Sequence, residues 1–314
     1  MQVEEELKEF IPQQEAVLTV GVFDGIHLGH QHLIEYLKRQ ALVRDYLPGV
    51  VTFRSHPQQV LSPQTPLPYL TSLEERIRLL KGLGIELIVP LSFTLELAQL
   101  SARQFASLLQ THLKMRGLVV GPDFAMGQGG EGDVFTLHSL GKEAGFWVDV
   151  VSAKVVNGEV VSSTIIRQAL TQGDMLKVSR LLGRPFSLSG KVVHGTERGK
   201  QIGFPTANLA VNSGQALPVD GVYVTRAYLG NHAYPSVTNI GIRPTFGQGE
   251  RAVEVYLLDF EGRLYGQELR VELVERLRGE RRFPTLEELK AQINRDVEQA
   301  ISILERRRDD YPRS

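Results

Sequence analysis

Apolar residues along this chain follow two regimes. Through the first half, short β-prone runs recur at Ala16–Phe23, Gly49–Phe53, Ile85–Leu91, Leu118–Gly121 and Trp147–Val151, with helical spacing between them. Ser72 with Glu75 predicts a capping box that opens a helix over Leu73–Leu83, ended by Gly84. Ser101 with Gln104 opens another that runs to about Met115. Strands alternating with helices predict a mainly parallel sheet covered on both faces, with ligands at the carboxyl ends of its strands. From Ser187 the runs become β-rich with close turns: Ser187–His194, Val219–Leu229, His232–Gly241, Arg251–Phe260 and Glu268–Leu277. That spacing predicts an antiparallel barrel or sandwich. Thr285 with Glu288 caps a last helix whose apolar face is Leu286, Leu289, Ile293, Val297, Ile301 and Leu304.

Composition narrows the picture. At 314 residues there is room for two cores, and 42% apolar with 23% charged residues is the balance of a soluble globular protein. A formal net charge of −1 gives no bulk attraction to nucleic acid or an anionic membrane. The basic clusters Arg281-Arg282 and Arg306–Arg308 lie among acids and read as solvated faces. With no cysteine, disulfides, thiolate catalysis and Cys-ligated metals are excluded. Met1–Phe10 is acidic and lacks the apolar core of a signal peptide, and no apolar run approaches the roughly 20 residues a bilayer demands. The expectation is a cytoplasmic protein acting on small molecules, not on nucleic acid or membrane; no sequence feature fixes an oligomeric state.

The candidate chemistry of the first half gathers at strand ends. Gly21-Val22-Phe23-Asp24-Gly25-Ile26-His27-Leu28-Gly29-His30 follows the first run and leads into a helix starting near Gly29. His27 and His30, three residues apart, share a helix face. Gly29 between them lets a phosphate or another backbone come close. A helix N-terminus offers unpaired N–H groups and partial positive charge, so strand, glycine turn and H-x-G-H form a phosphate-handling arrangement. Phe53-Arg54-Ser55-His56-Pro57 follows the second run and Gly121-Pro122-Asp123-Phe124 the fourth. After a hairpin turned at Asn157-Gly158, Ser162, Ser163 and Thr164 offer hydroxyls and open N–H groups to an anion, with Arg167 one turn later. On composition alone, the same triplet is a plain helix cap.

In the second half, Gly195, Gly199 and Gly203 make a loop able to wrap phosphates closely. Thr206 and Asn208 then set two neutral oxygens on one side of an extended segment, which suits Mg²⁺ completed by phosphates and water. The same residues also make an ordinary turn. Glu254 is the only charge in Ala252–Leu258, and strand alternation puts it on one face with Tyr256, opposite Val253 and Val255. That face is either simply solvated or carries a carboxylate able to take a hydroxyl proton.

Together, G-x-F-D-G-x-H-x-G-H, F-x-x-H-P, G-x-D-F and S-S-T-x-I-R resemble the FMN adenylyltransferase module of bacterial bifunctional FAD synthetases. Leu181-Leu182-Gly183-Arg184-Pro185-Phe186 matches the junction that ends this module. Gly203–Asn208, Gly221-Val222-Tyr223, Asn239-Ile240-Gly241, Arg243–Phe246, Val253–Tyr256 and Leu277–Glu280 with Phe283 are similar to the riboflavin kinase module. The resemblance spans about Ala16 to Asp296. It implies a Rossmann-like nucleotidylyltransferase domain over residues 1–183 and a small antiparallel β-barrel with a C-terminal helix over 187–314. The implied activity is phosphorylation of riboflavin to FMN, then adenylylation of FMN to FAD with release of pyrophosphate.

The resemblance also assigns residues. In the first domain ATP falls to Gly21, Phe23, Asp24, Gly25, His27, Gly29, His30, Ser162, Ser163, Thr164 and Arg167, with His27, His30 and Arg167 catalytic. Flavin falls there to Phe53, His56, Pro57, Asp123 and Phe124. In the second domain ATP and flavin fall to Gly195, Gly199, Lys200, Gly203, Pro205, Thr206, Asn208, Asn239, Arg243 and Arg278. Thr206 and Asn208 hold Mg·ATP, and Glu254 activates the 5′-hydroxyl of riboflavin.

Two motifs depart from the family pattern. Asp123-Phe124-Ala125-Met126-Gly127 stands for D-F-R-F-G, and Ile165 stands within S-S-T-R-I-R. Both remove an arginine from the first domain, while Arg167 is kept. The alternatives are a riboflavin kinase with a weak or inactive adenylyltransferase half, a nucleotidylyltransferase for another phosphorylated metabolite, and a catalytically silent flavin-binding regulator. On a helix opening near Ser163, Thr164 and Arg167 share a face, and Ile165 points about 100° from Thr164, where it packs on the sheet.

Overall fold

The structure, a computed structural model, describes residues 1–64, 67–195, 199, 202–242 and 251–307. It comprises two compact units, Met1–Ser163 and Thr164–Ser314.

The first unit is built on a parallel sheet. Its strands are β1 (Ala16–Val20), β2 (Leu47–Phe53), β3 (Leu87–Leu91), β4 (Met115–Val120) and, beyond the hairpin of β5 (Ala125–Met126) and β6 (Gly132–Asp133), β7 (Trp147–Val150). Their order is β3-β2-β1-β4-β7. Every residue of β1 and β3 is buried, as strands covered by helices on both faces must be. Val17, Val50 and Val119 face one core, shared with Ile34 and Leu37 of the helix Leu28–Arg44; Leu18, Val51, Leu118 and Val120 face the other. The chain runs from β1 out to β3, then returns to place β4 and β7 on the other side. The carboxyl ends of β1 and β4 therefore flank the switch point, where sheets of this kind bind ligands.

Local signals set the helix ends. Ser72 and Ser101 cap the helices Leu73–Gly82 and Ala102–Leu113. Ser101 and Gln104 form the reciprocal box, whereas the Glu75 carboxylate turns to Arg78 at 2.6 and 2.7 Å. The second helix stops two residues before Met115, because Lys114 turns left-handed and Met115 already opens β4. Between β8 (Val155–Val156) and β9 (Glu159–Val160), Asn157 and Gly158 are both left-handed, the signature of a tight hairpin.

In the second unit, the helices Ser163–Gln172 and Met175–Leu182 lead into a closed antiparallel barrel. Its strands are β10 (Phe186–Val193), β11 (Ala207–Val211), β12 (Gly221–Leu229), β13 (His232–Ile242), β14 (Arg251–Leu257) and β15 (Glu268–Arg278), in the order β10-β11-β14-β13-β12-β15. Five coincide with predicted runs. The sixth, β11, carries the Thr206–Asn208 segment that composition reads equally well as a turn. Inside the barrel, the buried hydroxyls of Thr225, Ser236 and Thr238 satisfy one another at 2.7 and 2.8 Å.

The C-terminal helix Leu286–Arg306 lies on the barrel's outer face, where Val297, Ala300, Ile303 and Leu304 pack against Val222, Val224 and Val237. The predicted apolar stripe divides along its length: Val297 and Leu304 pack in this core, and Leu286, Leu289 and Ile293 line a cavity. Leu286 and Ile301 are exposed, and Ala300 and Ile303 take the core contacts. The reason is that the first half of the helix lies over a cavity rather than over the core.

One close approach in the first unit is testable by stability. A Cβ at Gly117 would fall 2.1 Å from the ring of Trp147, the chain's single tryptophan, over which Arg44 sits at 4.3 Å. Gly117→Ala is expected to cost about 1–3 kcal/mol of stability and to shift the tryptophan emission. An unchanged unfolding midpoint together with unchanged emission would show that the ring is not seated there.

Candidate active sites

The turn after β1 is tightly wound. Phe23, Gly25 and Ile26 have φ of 52°, 85° and 40°. The left-handed region disfavours Phe and Ile, and burial of both side chains in the core offsets that strain. Asp24 is buried, and its carboxylate accepts the N–H groups of Leu70 at 2.8 and 2.9 Å and of Thr71 at 3.1 Å. Thr71 Oγ1 in turn accepts the Gly25 N–H at 3.0 Å. The carboxylate thus pins the turn to the segment ahead of the helix Leu73–Gly82.

His27 caps the next helix, with Nδ1 accepting the His30 N–H at 3.3 Å, which leaves the neutral ring's proton on Nε2. The two imidazoles stack at 3.6 Å, and Phe23 stands edge-on to His30 at 5.1 Å. Burial first, then the electrostatic influence of the His27 ring and of Arg76, holds the His30 pKa well below its ordinary 6.5. His30 is therefore neutral near pH 7, and its Nδ1 has no partner among the described residues. Gly29 makes room: a Cβ there would lie 3.0 Å from the His27 ring and 3.2 Å from the Val161 carbonyl. That close approach brings the serine–threonine segment to the turn, where Ser163 Oγ donates to the Asp24 carbonyl at 2.9 Å.

His27, His30 and Ser163 thus meet at the carboxyl end of β1. Ser162 precedes the helix Ser163–Gln172; Thr164 and Arg167 follow on it, in the second unit. On that helix Ile166 is fully buried, Ile165 only half-buried and Thr164 exposed. Phe53 ends β2 and meets Phe93 edge-on at 5.3 Å. His56 caps the short helix Pro57–Leu61, its Nδ1 accepting the Gln58 N–H at 3.1 Å. Beyond β4, Asp123 is exposed and Phe124 packs half-buried against the core. Sequence reasoning missed Arg76, a buried arginine on the helix Leu73–Gly82 that donates to the Phe53 carbonyl at 2.7 Å and to Thr52 Oγ1 at 3.3 Å. Its signal was a charge one turn from Leu80 on an apolar face.

The second site is set by barrel register. Glu254 of β14 pairs with Asn208 of β11 on one side and with Asn239 of β13 on the other. The three polar residues form one rung across neighbouring strands, and all three line a cavity of about 720 Å³ between the barrel's outer face and the C-terminal helix. The volume is in the range of small-molecule pockets. Ala252, Glu254 and Tyr256 face it, while Val253 and Val255 are buried on the opposite side, as alternation predicts. Phe204, edge-on to Tyr256 at 5.6 Å, and Leu286, Leu289 and Ile293 supply apolar wall.

Thr206 and Gly199 also line this cavity. The Gly199 carbonyl accepts the N–H groups of Ile202 at 3.2 Å and Phe204 at 2.9 Å, which folds the loop back on itself. Asn208 is buried, and a Cβ at Gly195 would fall 2.0 Å from its Nδ2; only glycine at 195 leaves room for the amide. Two neutral oxygens near one carboxylate make a sparse donor set, the kind that suits Mg²⁺ when phosphates and water complete the shell. Gly203 and Pro205 are exposed and do not face the cavity. Lys200 and Arg243 lie outside the described residues.

Arg278 lines the cavity with its guanidinium already engaged. Asp296 of the C-terminal helix accepts from its Nε at 3.0 and 3.1 Å and from Nη2 at 2.7 Å, and Gln292 donates to the same carboxylate at 2.8 Å. Asp296 went unpredicted, although it is a lone carboxylate in an otherwise apolar stripe.

Two family models match the chain: FAD synthetase over residues 10–165 and riboflavin kinase over residues 182–304. A bifunctional riboflavin kinase/FMN adenylyltransferase of Escherichia coli is 41% identical over 91% of each chain. One of Bacillus subtilis is 36% identical over 92% of each. A crystal structure described as a macrolide-efflux protein from Streptococcus pneumoniae superposes with a TM-score of 0.87 at 30% identity, covering 95% of this chain and 96% of that one. Among the described residues here, no helix is long and apolar enough to cross a membrane. Both family models match and the relatives are matched over nearly all of the chain, so it belongs to the family of bifunctional riboflavin kinase/FMN adenylyltransferases.

Proposed function

We propose that this chain makes FAD from riboflavin in two ATP-dependent steps, one in each module. The observation that carries the reading is the polar rung of Asn208, Glu254 and Asn239 facing a cavity of ligand size in the barrel unit. The kinase module is residues 187–314 and the adenylyltransferase module residues 1–183. The helices ending at Leu182 belong functionally with the latter because Arg167 lies on the first of them, although they are compact with the barrel.

In the kinase step Glu254 accepts the proton of the riboflavin 5′-hydroxyl as that oxygen attacks the γ-phosphorus of ATP, giving FMN and ADP. Thr206 and Asn208 would hold Mg²⁺, which when bound with ATP neutralises phosphate charge. The Gly195–Gly203 loop, including Gly199 and Lys200, wraps the phosphates, while Asn239, Arg243 and Arg278 border the flavin and nucleotide. In the second step a phosphate oxygen of FMN attacks the α-phosphorus of a second ATP and pyrophosphate leaves. His27, His30, Ser163, Thr164 and Arg167 hold the ATP phosphates, and Phe53, His56, Pro57, Asp123 and Phe124 receive the flavin. Catalysis in both steps rests on position and charge rather than on a covalent intermediate. On this reading the enzyme works in the cytoplasm, as expected of a chain without a signal-peptide pattern or a membrane span.

The decisive experiment incubates the protein with riboflavin and Mg·ATP and separates the flavins by chromatography. Wild type is expected to give FMN and then FAD; no product from riboflavin would sink the reading. Glu254→Gln is expected to abolish FMN formation while supplied FMN is still converted to FAD. His30→Ala is expected to do the reverse, with FMN accumulating. If either change removes both activities from a folded protein, the two-site assignment is wrong.

Asn208→Ala is expected to slow the kinase and raise the Mg²⁺ concentration needed for half-maximal rate. An unchanged Mg²⁺ dependence would leave Asn208 a structural residue only.

Ile165 addresses the missing arginine. Arg167→Ala is expected to lose FAD formation, and Ile165→Arg to alter its rate little. A large gain from Ile165→Arg, from a nearly inactive parent, would make this chain mainly a riboflavin kinase.

A further inference from the structure

Arg76 stands out among the charged groups that the reaction scheme leaves unused. It is 3% exposed, and among the described residues its Nε has no hydrogen-bond partner and it makes no ion pair. Nη1 donates to two oxygens at the carboxyl end of β2, the Phe53 carbonyl and Thr52 Oγ1. Thr52 Oγ1 donates onward to the Val22 carbonyl at 3.0 Å, inside the turn that carries His27 and His30. A buried cation without a paired carboxylate is costly, and such groups persist where something else supplies the opposite charge. Asp24 lies near enough to act on it, but that carboxylate is occupied by Leu70 and Thr71; Glu74 acts from the helix itself.

We propose that Arg76 is a positioning residue for the nucleotide step: it braces the β2 end against the histidine turn and supplies a fixed buried charge that the polyphosphate of ATP completes. The inference rests on the adenylyltransferase reading of this unit. Two consequences follow from the geometry. Binding of a polyphosphate anion compensates a charge the apo protein leaves unmatched, so affinity for ATP and pyrophosphate depends on residue 76. The same charge acts on His30, which faces His27 on its own helix and Arg76 from the helix Leu73–Gly82, and it helps keep that imidazole uncharged.

The test uses full-length Arg76→Met, which keeps the apolar stem, and Arg76→Lys, which keeps the charge. Riboflavin phosphorylation in the other unit is expected to be unchanged, and the emission of Trp147 with the thermal unfolding midpoint serves as the control for folding of the first unit. For Arg76→Met, FAD formation from FMN is expected to lose at least about tenfold in kcat/KM for ATP, and pyrophosphate binding to weaken by a similar factor, the scale of one lost charge-assisted contact. Arg76→Lys is expected to recover most of both. By NMR titration of the full-length protein, the His30 pKa is expected to rise in Arg76→Met and to stay low in Arg76→Lys. Unchanged pyrophosphate affinity and an unmoved His30 titration in a folded Arg76→Met protein would overturn the proposal. So would equal losses in the Lys and Met variants, because a merely steric brace does not distinguish them by charge. If wild type makes no FAD, the adenylyltransferase reading falls, and pyrophosphate binding with the His30 titration still decides the role of Arg76.

Discussion

The register of β14 is the constraint on which the kinase site depends. Antiparallel side chains alternate, so a slip of one residue would send Glu254 into the barrel and bring Val253 or Val255 to the cavity. Glu254 is held in place from both sides, by Asn208 on β11 and Asn239 on β13. A closed barrel has no free edge along which such a slip could start. The inner face adds to this, since Thr225, Ser236 and Thr238 lose their mutual hydrogen bonds in any other register. A rung of Asn, Glu and Asn is thus delivered to one wall of a cavity by backbone pairing alone. The C-terminal helix closes the opposite wall, and the Arg278–Asp296 pair fixes where it lies.

The first unit reaches a similar precision without a barrel. Parallel order places the β1 end beside the β4 end at the switch point, which opens the crevice. The turn that fills it is held in an unfavourable conformation by two buried apolar anchors, Phe23 and Ile26, and by one buried carboxylate, Asp24. Its glycines have separate tasks. Gly25 takes a left-handed conformation, whereas Gly29 takes an ordinary one and leaves room for Val161 and the His27 ring. A turn over-determined in this way presents two stacked imidazoles in one orientation, so a nucleotide need not order them on arrival.

Much of this was legible in the sequence, for identifiable reasons. Period-two and helical patterns located the five parallel strands, because those strands are nearly continuous apolar runs bounded by glycine and capping residues. Glu254 was legible because a single charge within Ala252–Leu258 has few structural excuses. The β11 strand was not, because Gly203, Pro205 and Asn208 are turn residues by composition, and it is the tertiary pairing with β10 and β14 that makes Ala207–Val211 extended. The stripe on the last helix was legible, but not what each part of it faces. Leu286, Leu289 and Ile293 are apolar because they wall a cavity, and periodicity cannot distinguish a wall from a core.

Arg76 and Asp296 were both visible as charges interrupting apolar helix faces, yet they do different work. Asp296 meets a guanidinium and an amide, so its charge is matched inside the protein whether or not a ligand is present. Removing either member of such a buried pair strands the other, which makes the contact a determinant of geometry more than of net stability. Among the described residues Arg76 has neutral oxygens as partners and a nitrogen with none, so its charge is solvated by the protein but not cancelled. A matched buried charge holds a wall in place, and an unmatched one leaves its site incomplete until an anion enters. On this argument the barrel site is built to be the same with and without substrate, whereas the site at the end of β1 is built to be completed by the polyphosphate it receives.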